Sequence, residues 1–218
     1  MSCALCEQRK EKRFCPAVHG RICAQCCGEQ REVTLDCPSD CPYLLQAREH
    51  EKPRSLQDLD PAVLLPQVEI GEGFVYEHEH LIVGLSYALA RSARSNHDLN
   101  DADLLAALTS MAKTYDTLVT SGLHYEAPVT GLGRQAIAAE LHNILKEYRE
   151  TEQKNLGYTR LRDADVLRAL VFLLRMGYGR TSGRPRSRAF SDFLQAQFPE
   201  KNAALATPDE VGSRIITP

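Results

Sequence analysis

The chain of 218 residues has no apolar run of the roughly 18 residues that a membrane-crossing helix needs. Its N-terminus carries cysteines and charges where a secretory signal has an apolar stretch, so a soluble, cytoplasmic protein that does not enter a membrane is expected. It also lacks a surplus of basic charge. With 26 Lys and Arg against 29 Asp and Glu the formal net charge is −3, and any affinity for nucleic acid must come from a local patch. There is no P-loop, no Gly-x-Gly-x-x-Gly after a strand, no Gly-x-Ser-x-Gly and no His-Glu-x-x-His, and the reading leans away from an enzyme. What remains, 43% hydrophobic and 25% charged residues, is enough for an ordinary core.

A further absence is more informative. No cysteine follows position 41, yet eight lie within the first 41 residues: Cys3, Cys6, Cys15, Cys23, Cys26, Cys27, Cys37 and Cys41. Nothing marks the chain for export, and cytosolic thiols stay reduced, so a disulfide network is disfavoured. The pairs Cys3-x-x-Cys6 and Cys23-x-x-Cys26 fit metal turns, in which a short loop bends two thiolates onto one ion and a second pair completes a tetrahedron. Eight thiolates make two four-thiolate sites with none left over. Cys26 and Cys27 are neighbours whose side chains diverge, so they serve different ions. One cross-braced arrangement sets Cys3, Cys6, Cys23 and Cys26 against Cys15, Cys27, Cys37 and Cys41. His19 is read as a solvated loop histidine in preference to a ligand.

Residues 1–45 contain too few large apolar side chains for an independent core of that size. Structural zinc contributes roughly 10–16 kcal/mol of apparent binding free energy, which becomes folding free energy. The expectation is two structural zinc ions in closed sites, since catalytic zinc keeps a position open for water. An iron–sulfur cluster also accepts four cysteines, and a thiol-redox role stays open as a weaker reading.

The run Cys15-Pro-Ala, Arg21-Ile-Cys-Ala-Gln-Cys-Cys-Gly28, Cys37-Pro-Ser-Asp-Cys-Pro-Tyr-Leu44 and Ala47-Arg-Glu-His50 resembles the signature of a group of uncharacterised bacterial proteins. These have a cysteine-rich N-terminus and a helical remainder. The resemblance spans about 35 residues, rests on Cys-Cys-Gly and Cys-Pro-x-x-Cys, and implies a zinc-binding fold without an assigned activity. Cys3 and Cys6 lie outside its strongest part.

The remainder reads as helical. Tyr43–His50 forms a short helix after Pro42, stopped by Pro53. Residues 55–80 hold six acids and no Lys or Arg, interrupted by prolines and glycines, as in a linker. Beyond it, Leu104, Leu108, Met111, Tyr115 and Leu118, widened by Leu105, Ala112 and Val119, repeat at steps of four and three. Ile137, Leu141, Ile144 and Tyr148 do likewise, as do Leu167, Leu170, Val171 and Leu174; residues 80–93 and Phe190–Phe198 add further helices. The segments 99–108 and 161–170 are alike in seven of ten positions, read as a shared helix start with Asp101 and Asp163 as N-caps. The fold expected is mainly α: a Cys-rich zinc module over 1–54, an acidic linker over 55–75, an antiparallel helical bundle over 76–199 and a flexible tail over 200–218.

Two sharper features remain. Glu77-His-Glu-His80 has one Glu-x-x-His, but a di-iron bundle needs a second copy, so a solvated helix start is preferred. His97, His124 and His142 stand isolated, and a pocket joining His142 or His80 to a carboxylate would be needed to revive a catalytic reading. Residues 160–190 carry eight arginines against two aspartates. Arg180, Arg184, Arg186 and Arg188 are candidate phosphate-binding residues; internal pairing with the acidic 55–80 segment is the favoured alternative. The leading functional expectation is a non-catalytic, zinc-stabilised adaptor that binds another protein. A nucleic-acid-binding regulator using the Arg-rich segment 175–188 is the alternative.

Overall fold

The computed structural model describes residues 1–52 and 54–199. The expected helix stop at Pro53 and the tail over 200–218 lie outside the described residues. The chain opens with a hairpin, β1 (Arg13–Cys15) antiparallel to β2 (Gly20–Ile22), with Phe14 opposite Arg21 and Cys15 opposite Gly20. Pro16–Val18 forms a single 3₁₀ turn between them, and His19 closes it in the left-handed region at φ 48°. Helix α1 (Ala24–Gln30) follows, capped by the Cys23 sulfur, which accepts the Cys26 N–H. Helix α2 (Pro42–His50) starts on Pro42, whose fixed φ suits the first helical position and whose missing N–H is unneeded there.

The acidic segment expected as a linker packs along the rest of the molecule. It contains the short helices α3 (Pro61–Leu64) and α4 (Phe74–Glu77) and buries Leu65, Val68 and Phe74 in the main core. Arg175 holds it by donating to the carbonyls of Leu64, Leu65 and Val68. These are main-chain oxygens: among the described side chains no carboxylate of this segment pairs with the arginines of 160–190.

The bundle consists of α5 (Glu79–Ser95), α6 (Asp101–Ser121), α7 (Leu132–Leu156) and α8 (Asp163–Arg180), with α9 (Ala189–Gln197) against α5. Its core takes Leu104, Leu108, Met111, Tyr115, Ile137, Leu141, Leu167, Leu170, Val171 and Leu174 from the expected stripes. Val119 is exposed, and on α7 Leu145 is more deeply buried than Ile144.

The two similar helix starts lie on α6 and α8, which pack against each other, but the aspartates differ from the expected caps. Asn100 caps α6 and forms a capping box with Asp103. Arg162 occupies the cap position of α8 with no side-chain cap. Asp101 is buried and accepts the N–H groups of Phe190 and Ser191 and the Ser187 hydroxyl, so it caps α9 from a distance. Asp163 is drawn to Arg149, and Asp165 to Arg162 and Arg168.

Close packing of α8 depends on Gly177. A Cβ there would lie 2.7 Å from Leu105 Cδ2 and 2.9 Å from Phe190 Cε1. Gly177→Ala gains helix propensity but overpacks the core, and a net loss of about 1–3 kcal/mol is expected in urea unfolding. An unchanged or higher midpoint would show that the helices separate at no cost.

Candidate metal centre

The hairpin and α1 gather the cysteines. Cys3 and Cys6 sit on the N-terminal loop, which is tied to the hairpin by the Ala4 N–H to Arg21 carbonyl bond and closed by the Cys3 N–H to Arg9 carbonyl bond. Cys23 and Cys26 occupy the cap and first turn of α1. The sulfurs of Cys3, Cys6, Cys23 and Cys26 all lie within 4.8 Å of one another. A tetrahedral zinc–thiolate site, with Zn–S about 2.3 Å, places its sulfurs roughly 3.8 Å apart, so the cluster needs contraction of about 1 Å at most. The donor set fits a metal ion.

Main-chain donors reinforce the sulfurs' acceptor role. The Cys23 N–H points to Cys3 Sγ at 3.2 Å and the Cys26 N–H to Cys23 Sγ at 3.3 Å. Burial works against ionisation of Cys3, but N–H groups of Cys23, Cys6 and Leu5 outweigh it and lower its pKa to about 6. Cys6 is lowered through N–H groups of Arg9 and Gln8. Cys26 goes the other way, pushed up to about 12 by sharing its proton with Cys23, by burial, and by Cys6 and Cys3. Crowded sulfurs without a cation can ionise only in part, and a metal entering the cluster would displace the protons that they share.

The second expected set is placed less tightly. Cys15, Cys27, Cys37 and Cys41 all line one cavity of about 10 Å³, together with Ile22, Leu35 and Leu44. That is room for about one water-sized sphere. Among the described residues, however, only the first set has all its ligand atoms within 4.8 Å of one another. Cys37 lies on the turn leading to Cys41 and is only half-buried; burial raises its pKa, as do the charges of Cys41 and Cys15. Cys3 and Cys6, which lie outside the Cys-Cys-Gly and Cys-Pro-x-x-Cys elements, thus belong to the more compact group. His19 is exposed and belongs to neither.

Two arginines approach sulfur: Arg9 Nη1 lies 3.9 Å from Cys23 Sγ and Arg13 Nη1 3.6 Å from Cys27 Sγ, with Arg13 also over the Tyr43 ring. Four thiolates around a divalent cation leave a charge of −2, which such cations offset. Their signal in the sequence is the run Arg9-Lys-Glu-Lys-Arg13, which cysteine spacing alone passes over.

The arginine-rich segment divides. Arg184 donates to the Gly28 and Arg31 carbonyls at the end of α1, and Arg188 pairs with Asp36 and reaches the His97 and Leu99 carbonyls. These two dock the cysteine module on the bundle, so they are committed to the protein's own groups. Arg180 lies over the Phe193 ring at 3.5 Å, and Arg186 is exposed, its main-chain N–H bonded to the Glu32 carbonyl.

His124 and His142 line a cleft with Glu126, Glu150 and Asp163, but Asp163 is held by Arg149 and His142 is exposed. His78 Nε2 is 3.9 Å from Asp165, a carboxylate already shared by Arg162 and Arg168. His80 is exposed at the start of α5. No His–carboxylate hydrogen bond forms among the described residues. No helix of those residues is long and apolar enough to cross a membrane. The chain matches no family model, no curated protein and no solved structure.

Proposed function

We propose that the protein is a cytoplasmic, non-catalytic adaptor whose cysteine module is held in shape by two structural zinc ions and offers a fixed surface to another protein. The reading is carried by the close grouping of Cys3, Cys6, Cys23 and Cys26. Cys15, Cys27, Cys37 and Cys41 around one ion-sized cavity support the second ion. All eight sulfurs are thereby used as closed-site ligands, which leaves no position for a reactive water. The proposal places the chain with the bacterial proteins that its Cys-Cys-Gly and Cys-Pro-x-x-Cys elements resemble.

The surface offered follows from the hairpin. Phe14 is 55% exposed, and Leu5 follows the residue whose N–H bonds Arg21, the register partner of Phe14. Both Phe14 and Leu5 are exposed, and a partner's apolar group covering such side chains of the module is the interaction proposed. Metal analysis of purified protein tests the basis of the reading: about two zinc per chain are expected. A coloured, iron-containing sample would replace the structural-zinc reading with an iron–sulfur one.

A nucleic-acid-binding regulator is the second reading, resting on Arg180 and Arg186, whose side chains carry no counter-charge among the described residues. Titration with DNA and RNA at low salt separates the two. Binding that falls steeply with added salt favours the regulator, and no binding removes it.

A further inference from the structure

The clefts of this molecule differ in how their charges are balanced. In the one between α6 and α7, Lys146 and Arg149 face Glu126, Glu150 and Asp163. In the one beside His78, Arg160 and Arg162 face Glu77, Glu152 and Asp165. A third cleft, of about 530 Å³, lies where the end of α2 meets the second half of α8, and it is lined by Arg48, Lys52, Arg54, Arg175 and Arg180 with Glu51 as its only acid.

The five cations are not equivalent. Arg48 is neutralised by Glu32 and Asp192. Arg175 donates from Nε and Nη2 to three carbonyls, which hold the guanidinium in place without cancelling its charge and leave Nη1 for a ligand. Arg180 is held flat against Phe193, a contact that again brings no negative charge. Arg54 lies over Gly183, where a Cβ would come within 2.7 Å of its Nη1; a backbone at φ +73° without a side chain makes that approach possible. Lys52 and Arg54 are exposed and pair with no carboxylate among the described residues. Four uncompensated cations and one glutamate leave a formal surplus of three positive charges. The carbonyl ends of α2 and α8 offset about one of these, at roughly half a charge each. Burial of Arg175 lowers its pKa with no acid to oppose the effect, consistent with a missing counter-ion.

We propose that this cleft binds a small phosphate-bearing molecule with at least two negative charges, such as a pyrophosphate or a nucleoside diphosphate. Guanidinium groups fixed by carbonyls and by a ring lose little freedom on meeting phosphate oxygens, and their planar donors suit those oxygens. A volume near 530 Å³ exceeds one phosphate and falls in the range of small-molecule sites, and Met176 and Ala189 supply apolar wall for the ligand's remainder. Because Lys52 and Arg54 come from the end of the cysteine module while Arg175 and Arg180 come from the bundle, the ligand would tie one to the other. The inference concerns side chains outside both cysteine sets and holds whichever metal they take.

Calorimetric titration of the full chain with inorganic pyrophosphate, and separately with ADP, tests it. Binding of one ligand per chain is expected, weakened by added NaCl. Lys52→Glu/Arg54→Glu should weaken it by about tenfold or more, with metal content and thermal midpoint unchanged. Lys146→Glu, on the far cleft, should bind as the parent does. Two results would each overturn the proposal: no heat with either ligand at low ionic strength, or equal affinity in the double variant.

Discussion

On the proposed structural-metal reading, stripping the metal with a chelator, or replacing Cys3 by serine, is expected to unfold residues 1–41 and leave the helical bundle standing. The magnitudes decide this outcome. The module's buried apolar side chains outside its cysteines amount to Ile22, Leu35 and Leu44, with Ala17, Val18 and Tyr43 partly buried. Such a patch supplies only a few kcal/mol of burial, whereas each structural ion contributes about 10–16 kcal/mol. The hairpin is three residues a side, and α1 has seven residues, both too short to persist alone. The bundle, by contrast, holds an apolar cluster from Leu65 to Leu194 that contains none of the cysteines. Amide exchange reads the two regions separately: protection over 1–41 should vanish while that of α5, α6 and α8 persists. Retained protection of the hairpin after complete metal removal would disprove the structural role.

Glu32→Ala should loosen the joint between module and bundle, at about 3–5 kcal/mol in urea unfolding. Glu32 is 1% exposed. Its carboxylate holds Arg48 at 2.9 Å and accepts the Ser182 hydroxyl at 3.0 Å, and its carbonyl accepts the Arg186 N–H. Removing it leaves Arg48 with Asp192 alone, in a setting where the Arg48 Nε already has no acceptor among the described residues. Glu32 also sits at φ 54°, a conformation that costs any L-residue about 1–2 kcal/mol. Glu32→Gly removes the same charge while relieving that strain, so it should cost about 1 kcal/mol less than Glu32→Ala. If both variants unfold with the parent, the joint contributes nothing.

Glu32 also illustrates what a sequence conceals. It lies amid cysteines, and its partners at positions 48, 182 and 186 are separated from it by up to 154 residues, a pairing that no local pattern encodes. Asp101 is a similar case: helix-start chemistry accounts for an aspartate there, but the carboxylate is taken up by α9, brought in by the packing of Phe190. The acidic segment was deceptive because charge and prolines dominate its composition, while the three side chains that anchor it, Leu65, Val68 and Phe74, are too widely spaced for a periodicity to appear. Local rules sufficed elsewhere. The 3.6-residue stripes placed the core faces of α6, α7 and α8. The two Cys-x-x-Cys pairs identified the compact thiol group, because a four-residue turn fixes two sulfurs whatever the tertiary context. The looser placement of Cys37 and Cys41 reflects their three-residue spacer and a turn exposed to solvent.

The joint has a bearing on the order of events during synthesis. Ser182 and Asp192 emerge about 150 residues after Glu32, which at translation rates of about 5–20 residues per second is a delay of roughly 10–30 s. Throughout that interval the cysteine end has no bundle to lean on. On the proposed structural-metal reading, the nascent thiols must therefore capture their ion, or be shielded from oxidation, well before the ribosome delivers α9.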